Sequence, residues 1–141
     1  MRQSSSDPPW PTGAPTLMSI KILVADDDAD LVSALCELLR SQGYETLSAQ
    51  EGVRAVELAH KAHPDLILLD WIMPAGKGSA VLEMLAEKKE TREIPVIVLT
   101  GADEPFEEET AQKWGVKGFL RKPYEAAALL KAISSVLKRG V

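Results

Sequence analysis

Carboxylate, hydroxyl and ammonium side chains follow short apolar runs at four places in the chain. Asp26 and Asp27 follow the first run, Asp70 ends the third, Thr100 ends the fourth, and Lys122 follows the fifth. A lone aspartate at such a place is commonly a helix cap, and a lone threonine or lysine carries little information. Together, at the ends of successive runs, they favour one shared site.

The chemistry of this set follows from its charges. Carboxylates about 4 Å apart repel one another by roughly 4 kcal/mol per pair at an effective dielectric of about 20. A divalent cation removes that penalty, and Mg2+ prefers hard oxygen ligands, with Mn2+ as a possible substitute. Lys122 adds a positive charge, and Thr100 adds a hydroxyl that can donate to an anion. We therefore predict phosphoryl transfer in which Asp70 attacks phosphorus in line. Thr100 would then turn toward a phosphoryl oxygen and leave space for an aromatic ring, for which Phe119 is the candidate.

Short apolar runs alternate with amphipathic stretches along the chain, which indicates an α/β fold. The predicted strands are residues 20–25, 44–48, 66–70, 96–100 and 118–121. Helical spacing relates Leu31, Leu35, Leu38 and Leu39, then Val81, Met84 and Leu85, then Leu129, Leu130, Ile133, Val136 and Leu137. Weaker helices are predicted over residues 52–62 and 104–114. Because the third run is apolar on both faces and helices follow the strands, we predict a parallel (βα)5 sheet covered on both sides.

Composition limits the classes of function. The chain has 141 residues, with 16 Lys and Arg against 21 Asp and Glu, and its formal charge of -5 argues against a direct role in nucleic acid binding. Cys36, the single cysteine, lies in an apolar helical pattern and is predicted to be buried. No apolar stretch is long enough to span a membrane, which predicts a cytoplasmic protein. The Pro- and Ser-rich residues 1–17 are predicted to be a disordered tail before one domain, residues 18–141.

Four motifs, in this order and spacing, resemble those of response regulator receiver domains, the CheY-like domains of two-component signal transduction. They are Ile22-Leu23-Val24-Ala25-Asp26-Asp27-Asp28, Leu69-Asp70-Trp71-Ile72-Met73-Pro74, Val98-Leu99-Thr100-Gly101 and Arg121-Lys122-Pro123. The similarity covers about residues 20–137. It implies a flavodoxin-like sheet of strand order 2-1-3-4-5.

The resemblance also implies roles for individual residues. Asp26 and Asp27 correspond to the family's acidic Mg2+ pocket, Asp70 to its phosphorylated aspartate, and Ile72 to the residue whose backbone carbonyl binds the metal. Thr100 corresponds to the switch hydroxyl, Phe119 to the aromatic switch and Lys122 to the site lysine. A cis Lys122–Pro123 bond is implied as well. Two features depart from the family pattern: Lys77 stands where an acidic residue is usual, and Ile72 and Ala102 offer no side chain that could orient an attacking water.

A receiver domain takes its phosphoryl group from a sensor histidine kinase or a histidine phosphotransfer protein. It then changes the surface formed by its fourth helix, fifth strand and fifth helix, here expected over residues 114–131, to control a downstream partner or output domain. Any dimer is expected to form through that surface. Such a domain is not an enzyme in the usual sense, because it catalyses only its own phosphorylation and dephosphorylation.

Two other functions are compatible with part of the pattern. Asp26 and Asp28 would suit a phosphohydrolase of the haloacid dehalogenase type, but that family requires Thr or Val where this chain has Asp30, and it requires a longer chain. A receiver-like adaptor that binds partners without phosphorylation is the other alternative, and failure to bind magnesium would favour it.

Overall fold

The protein contains a five-stranded parallel sheet with helices on both faces. The computed structural model describes residues 19–71, 78–101 and 108–139. The strands are β1 Lys21–Ala25, β2 Glu45–Ala49, β3 Leu66–Asp70, β4 Val96–Gly101 and β5 Val116–Lys122. They pair in the order β2-β1-β3-β4-β5, and every pairing is parallel. This confirms the predicted (βα)5 class and the flavodoxin-like strand order.

The centre of the sheet is buried on both faces. Every residue of β3 is buried, and so are the first five residues of β4. Their continuous apolar sequences are typical of parallel strands covered by helices on both sides. The edge strands β2 and β5 instead contain exposed residues, and exposed and partly buried positions alternate along β5.

Helices follow the strands as the apolar spacing predicts. They are α1 Ala29–Ser41, α2 Gly52–Ala62, α3 Gly78–Leu85, α4 Glu108–Lys113 and α5 Ala126–Arg139, with a helical turn at Lys89–Arg92 between α3 and β4. The Asp28 side chain caps α1 by accepting hydrogen bonds from the backbone N–H groups of Asp30 and Leu31. The part of the predicted fourth helix before residue 108 lies outside the described residues.

Two apolar cores cover the two faces of the sheet. The α2/α3 core consists of Leu23, Ala25, Ala49, Ala55, Val56, Ala59, Ile67, Leu69, Trp71, Val81, Leu82, Leu85, Ile94, Val96 and Val98. The α1/α5 core consists of Ile22, Val24, Val32, Leu35, Cys36, Leu39, Leu66, Leu68, Ile97, Leu99, Leu129, Ile133 and Val136. Alternate residues of each central strand therefore belong to opposite cores, as the pleat of a strand requires.

Two further predictions concern the N-terminal residues and membrane-spanning helices. Residues 1–18 lie outside the described residues, so the predicted tail over 1–17 and the boundary at 18 stay predictions. None of the described helices has the length and apolar character needed to cross a bilayer.

Candidate functional site

Three carboxylates meet at the carboxyl ends of β1 and β3. Asp26 and Asp27 directly follow β1, and Asp70 is the last residue of β3. Each offers an oxygen that lies within 4.8 Å of the others. Asp26 and Asp70 are buried and Asp27 is exposed, so the cluster opens to solvent on the Asp27 side. The sheet thus brings together three residues that are 44 positions apart at most, as predicted from the ends of the strands.

The backbone holds the Asp26 carboxylate in a defined position. The backbone N–H of Asp26 donates to the carbonyl of Ala49 over 3.0 Å, which extends the β1–β2 pairing past the end of the strand. The Asp26 Oδ1 atom accepts a hydrogen bond of 3.0 Å from the backbone N–H of Asp28. Since Asp28 also caps α1, the start of this helix and the acidic cluster are fixed together.

Lys122 places an ammonium between the two buried carboxylates. Its Nζ atom lies 2.9 Å from Asp26 Oδ2 and 3.6 Å from Asp70 Oδ1. Burial by itself lowers the pKa of Lys122, but the hydrogen bond to Asp26 and the charges of Asp26 and Asp70 outweigh it, and the net pKa is raised. The side chain is therefore an ammonium at neutral pH, and one positive charge faces three carboxylates.

The strand register shows why these groups face one another. Val24, Leu68 and Leu120 pack on the α1/α5 side of the sheet, and Asp26, Asp70 and Lys122 each follow one of them by two positions. Side chains two residues apart along a strand lie on the same face. The three charged side chains therefore share one side of the sheet, at its carboxyl edge.

Thr100 and Phe119 lie on the opposite side. Thr100 is fully buried, follows Val98 of the α2/α3 core by two positions, and pairs with Arg121 of β5. Phe119 pairs with Val98, so it is a diagonal neighbour of Thr100 on the same face. Phe119 is 36% exposed, so it lies at the surface of the sheet.

Some predicted features lie beyond the described residues. Among them are Ile72, whose carbonyl was expected to bind a metal, and the residues that depart from the family pattern, which are Ile72 itself, Lys77 and Ala102. Their expected roles stay predictions. The expected cis peptide bond between Lys122 and Pro123 is present.

Sequence reasoning missed one contact beside the site and one buried hydroxyl. Trp71 packs its ring against Gly78, where a Cβ atom would lie 2.2 Å from Trp71 Cε3, and the backbone N–H of Gly78 donates to the Trp71 carbonyl over 2.7 Å. Tyr124 has a buried hydroxyl just after the lysine. The glycine seven positions after Trp71 is the only sequence signal for the first, and the sequence gives no signal for the second.

The arrangement suits a divalent cation and an anionic group. Three oxygen donors within 4.8 Å of one another match the hard-ligand preference of Mg2+. One ammonium cannot neutralise three carboxylates, so an added cation lowers the electrostatic free energy of the cluster. With such a cation bound, the buried Asp70 carboxylate would lie beside two positive groups, the ion and Lys122, which is the environment of an activated oxygen nucleophile.

Comparisons with known proteins agree with this geometry. The model of the response regulator receiver domain family matches residues 22–134. Protein PilH of Pseudomonas aeruginosa is 33% identical over 117 residues, which cover 83% of this chain and 97% of PilH. The phosphate regulon transcriptional regulatory protein PhoB of Klebsiella pneumoniae is 32% identical over 122 residues, which cover 86% of this chain and 53% of PhoB. The chain thus spans about half the length of PhoB.

A solved structure shows the same fold with a metal. It is the receiver domain of the sensor histidine kinase PA1611 from Pseudomonas aeruginosa, with a magnesium ion coordinated in the active site cleft. The two chains superpose with a TM-score of 0.74 at 26% identity, and the match covers 86% of this chain and 96% of that domain. The family model spans most of the chain, and the fold and strand order agree with it. The chain therefore belongs to the response regulator receiver domain family of two-component signal transduction.

Proposed function

We propose that this receiver domain accepts a phosphoryl group on Asp70 from a sensor histidine kinase or a histidine phosphotransfer protein. The main support is the position of the Asp70 carboxylate, which is buried at the end of β3, within 4.8 Å of two other carboxylates and 3.6 Å from Lys122 Nζ. An Asp70 oxygen forms a bond to phosphorus while the bond from phosphorus to the donor's histidine nitrogen breaks. That nitrogen keeps the electron pair and takes up a proton.

Asp26, Asp27 and Asp70 are the side chains that would hold Mg2+, or Mn2+ as a substitute, together with the backbone carbonyl of Ile72. When bound, the ion would offset negative charge on the phosphoryl oxygens. Lys122 supplies further positive charge, and its distances to Asp26 and Asp70 allow it to contact a phosphoryl oxygen after a small movement. The domain catalyses only the phosphorylation and dephosphorylation of its own Asp70.

The switch that follows phosphorylation uses Thr100 and Phe119. The Thr100 hydroxyl turns toward a phosphoryl oxygen, and the Phe119 ring moves into the space that the threonine leaves. Their diagonal position on one face of the sheet and the partial exposure of the ring support this coupling. The change alters the surface made by α4, β5 and α5.

The altered surface would control a downstream protein or an output domain. PhoB, a transcriptional regulatory protein, is matched over about half its length, which is consistent with a receiver domain that acts through a further domain or partner. The net charge of -5 argues against direct contact between this chain and nucleic acid. Dimerisation through the α4, β5 and α5 surface and a cytoplasmic location stay predictions.

Intact mass spectrometry tests the phosphoacceptor directly. The wild-type chain is incubated with acetyl phosphate and Mg2+, beside Asp70→Asn, the control Asp30→Asn, and a wild-type sample in excess chelator. Asp30 is an exposed carboxylate in the first turn of α1, so its variant controls for loss of an acidic residue as such. We expect wild type and Asp30→Asn to gain one phosphoryl group, and neither Asp70→Asn nor the chelated sample to gain any.

Two results would overturn the proposal. The first is a wild-type chain that gains no phosphoryl group although it is folded and supplied with Mg2+, which would favour the adaptor alternative. The second is an Asp70→Asn variant that gains the group at the wild-type rate, which would place the nucleophile elsewhere.

A further inference from the structure

The hydroxyl of Tyr124 is a buried polar group that the proposed phosphoryl transfer does not use. Within the described part of the chain, it is the one buried side-chain oxygen or nitrogen without a hydrogen-bond partner. Its residue packs against the α1/α5 core. Burying an unpaired hydroxyl is unfavourable, and phenylalanine would fill the same space without that cost. A hydrogen-bond partner that the hydroxyl gains in another state of the domain would account for a tyrosine at this position.

Tyr124 lies on the side of the sheet where the charged groups of the site meet. It follows Lys122 by two positions across the cis peptide bond, and it packs on the core that lies beneath Asp26 and Asp70. Burial raises the pKa of Tyr124, the Lys122 charge lowers it, and the charges of Asp26 and Asp70 raise it further, with a net increase. The phenol thus keeps its proton at neutral pH and is available as a donor toward this site.

Asp26 has the acceptor that such a donor requires. In the resting domain its Oδ1 atom accepts from the backbone of Asp28, and its Oδ2 atom accepts from Lys122 Nζ over 2.9 Å. Asp26 is fully buried, so solvent does not reach an oxygen that loses its donor. If the Lys122 ammonium turns to a phosphoryl group on Asp70, the Oδ2 atom loses that hydrogen bond. A metal ion held by Asp26 would leave acceptor capacity on this carboxylate, because its two oxygens offer about four lone-pair sites.

We propose, on the basis of the phosphoryl transfer proposed above, that Tyr124 is a positioning residue of the phosphorylated site. Its hydroxyl donates to Asp26 Oδ2 when the Lys122 ammonium moves to the phosphoryl group. The new hydrogen bond satisfies both buried groups and holds the Asp26 carboxylate in place. It stabilises the phosphorylated state and is absent from the resting state.

The test compares Tyr124→Phe with wild type and with Tyr44→Phe. Tyr44 also packs against the α1/α5 core, but it precedes β2 and lies at the opposite end of the strands, so it is a matched control. Beryllofluoride with Mg2+ serves as the phosphoryl analogue, and its affinity is measured by isothermal titration calorimetry. Urea unfolding without ligand gives the stability of each resting domain.

We expect Tyr124→Phe to weaken beryllofluoride binding about tenfold, the usual effect of losing one hydrogen bond to a charged group. Without ligand, its unfolding equilibrium constant should equal the wild-type value or lie below it, because an unpaired hydroxyl has been removed. Tyr44→Phe should bind beryllofluoride within about twofold of wild type. A purely structural tyrosine would not give this combination.

Each other outcome decides against the inference. If Tyr124→Phe binds beryllofluoride as tightly as wild type, the hydroxyl gains no partner in the loaded site, and only this inference fails. The same holds if the variant is less stable without ligand, whatever its affinity for beryllofluoride, since the hydroxyl then has a resting partner. If wild type itself does not bind beryllofluoride with Mg2+, the proposed function fails, and this inference fails with it.

Discussion

Replacing Lys122 by methionine removes the ammonium that lies between two buried carboxylates. The Coulomb attraction over 2.9 Å to Asp26 is about 6 kcal/mol at an effective dielectric of about 20, before the cost of desolvation is counted. Removal of one partner of a buried ion pair destabilises proteins by about 3–5 kcal/mol. Because 28% of the Lys122 side chain is exposed, water screens part of this, and we expect a loss of about 2–3 kcal/mol at pH 7 without metal.

Urea unfolding at pH 7 measures this loss, with and without Mg2+. Since the variant leaves the carboxylates without their ammonium, Mg2+ should increase its free energy of unfolding more than that of wild type. Lys131→Met, which removes an exposed lysine from α5, should change stability by no more than about 0.5 kcal/mol. A Lys122→Met chain as stable as wild type in metal-free buffer would refute the electrostatic description of the site.

Three further measurements test the charged groups of the site and the contact beside it. The pKa of Lys122 is raised in the folded state, so its contribution to stability is complete below the ordinary value of 10.5 and is lost as pH rises through the higher folded value. The difference in stability between wild type and Lys122→Met, measured by urea titration, should therefore shrink above pH 10.5. Asp27→Asn should weaken Mg2+ binding in calorimetry yet leave the unfolding midpoint nearly unchanged, since Asp27 is the exposed member of the cluster. Gly78→Ala should destabilise the domain by about 1–3 kcal/mol in urea unfolding, because its Cβ atom would clash with the Trp71 ring.

The fold was predictable where apolar patterning is strong. The predicted strand 66–70 matches β3, because a strand buried on both faces has a continuous apolar sequence. The predicted strand 118–121 was too short, since β5 covers Val116–Lys122. Lys117 and Gly118 obscured its start, and β5 is an edge strand whose exposed positions tolerate such residues.

The convergence of the site was also predictable, whereas its internal contacts were not. A parallel sheet brings the carboxyl ends of its strands to one edge, so Asp26, Asp70 and Lys122 had to lie near one another once the strands were assigned. Which carboxylate takes the shorter contact with the lysine depends on side-chain positions that no pattern encodes. The contact between Trp71 and Gly78 was not predictable either, because no repeat in the sequence relates these two residues, which are seven positions apart.

The unequal distances from Lys122 to its two carboxylates connect stability with switching. The ammonium is closer to Asp26, at 2.9 Å, than to Asp70, at 3.6 Å, so the domain gains more electrostatic stability from the contact with Asp26 than from the contact with Asp70. In the proposed phosphorylated state, the negative charge added at Asp70 would draw the ammonium toward it. The loss of the hydrogen bond between Lys122 and Asp26 would make that movement less favourable, because the buried Asp26 carboxylate must then find another donor or stay unpaired. If the Tyr124 hydroxyl becomes that donor, as proposed above, it lowers this cost, and the phosphorylated state would be more populated than the charges alone would allow.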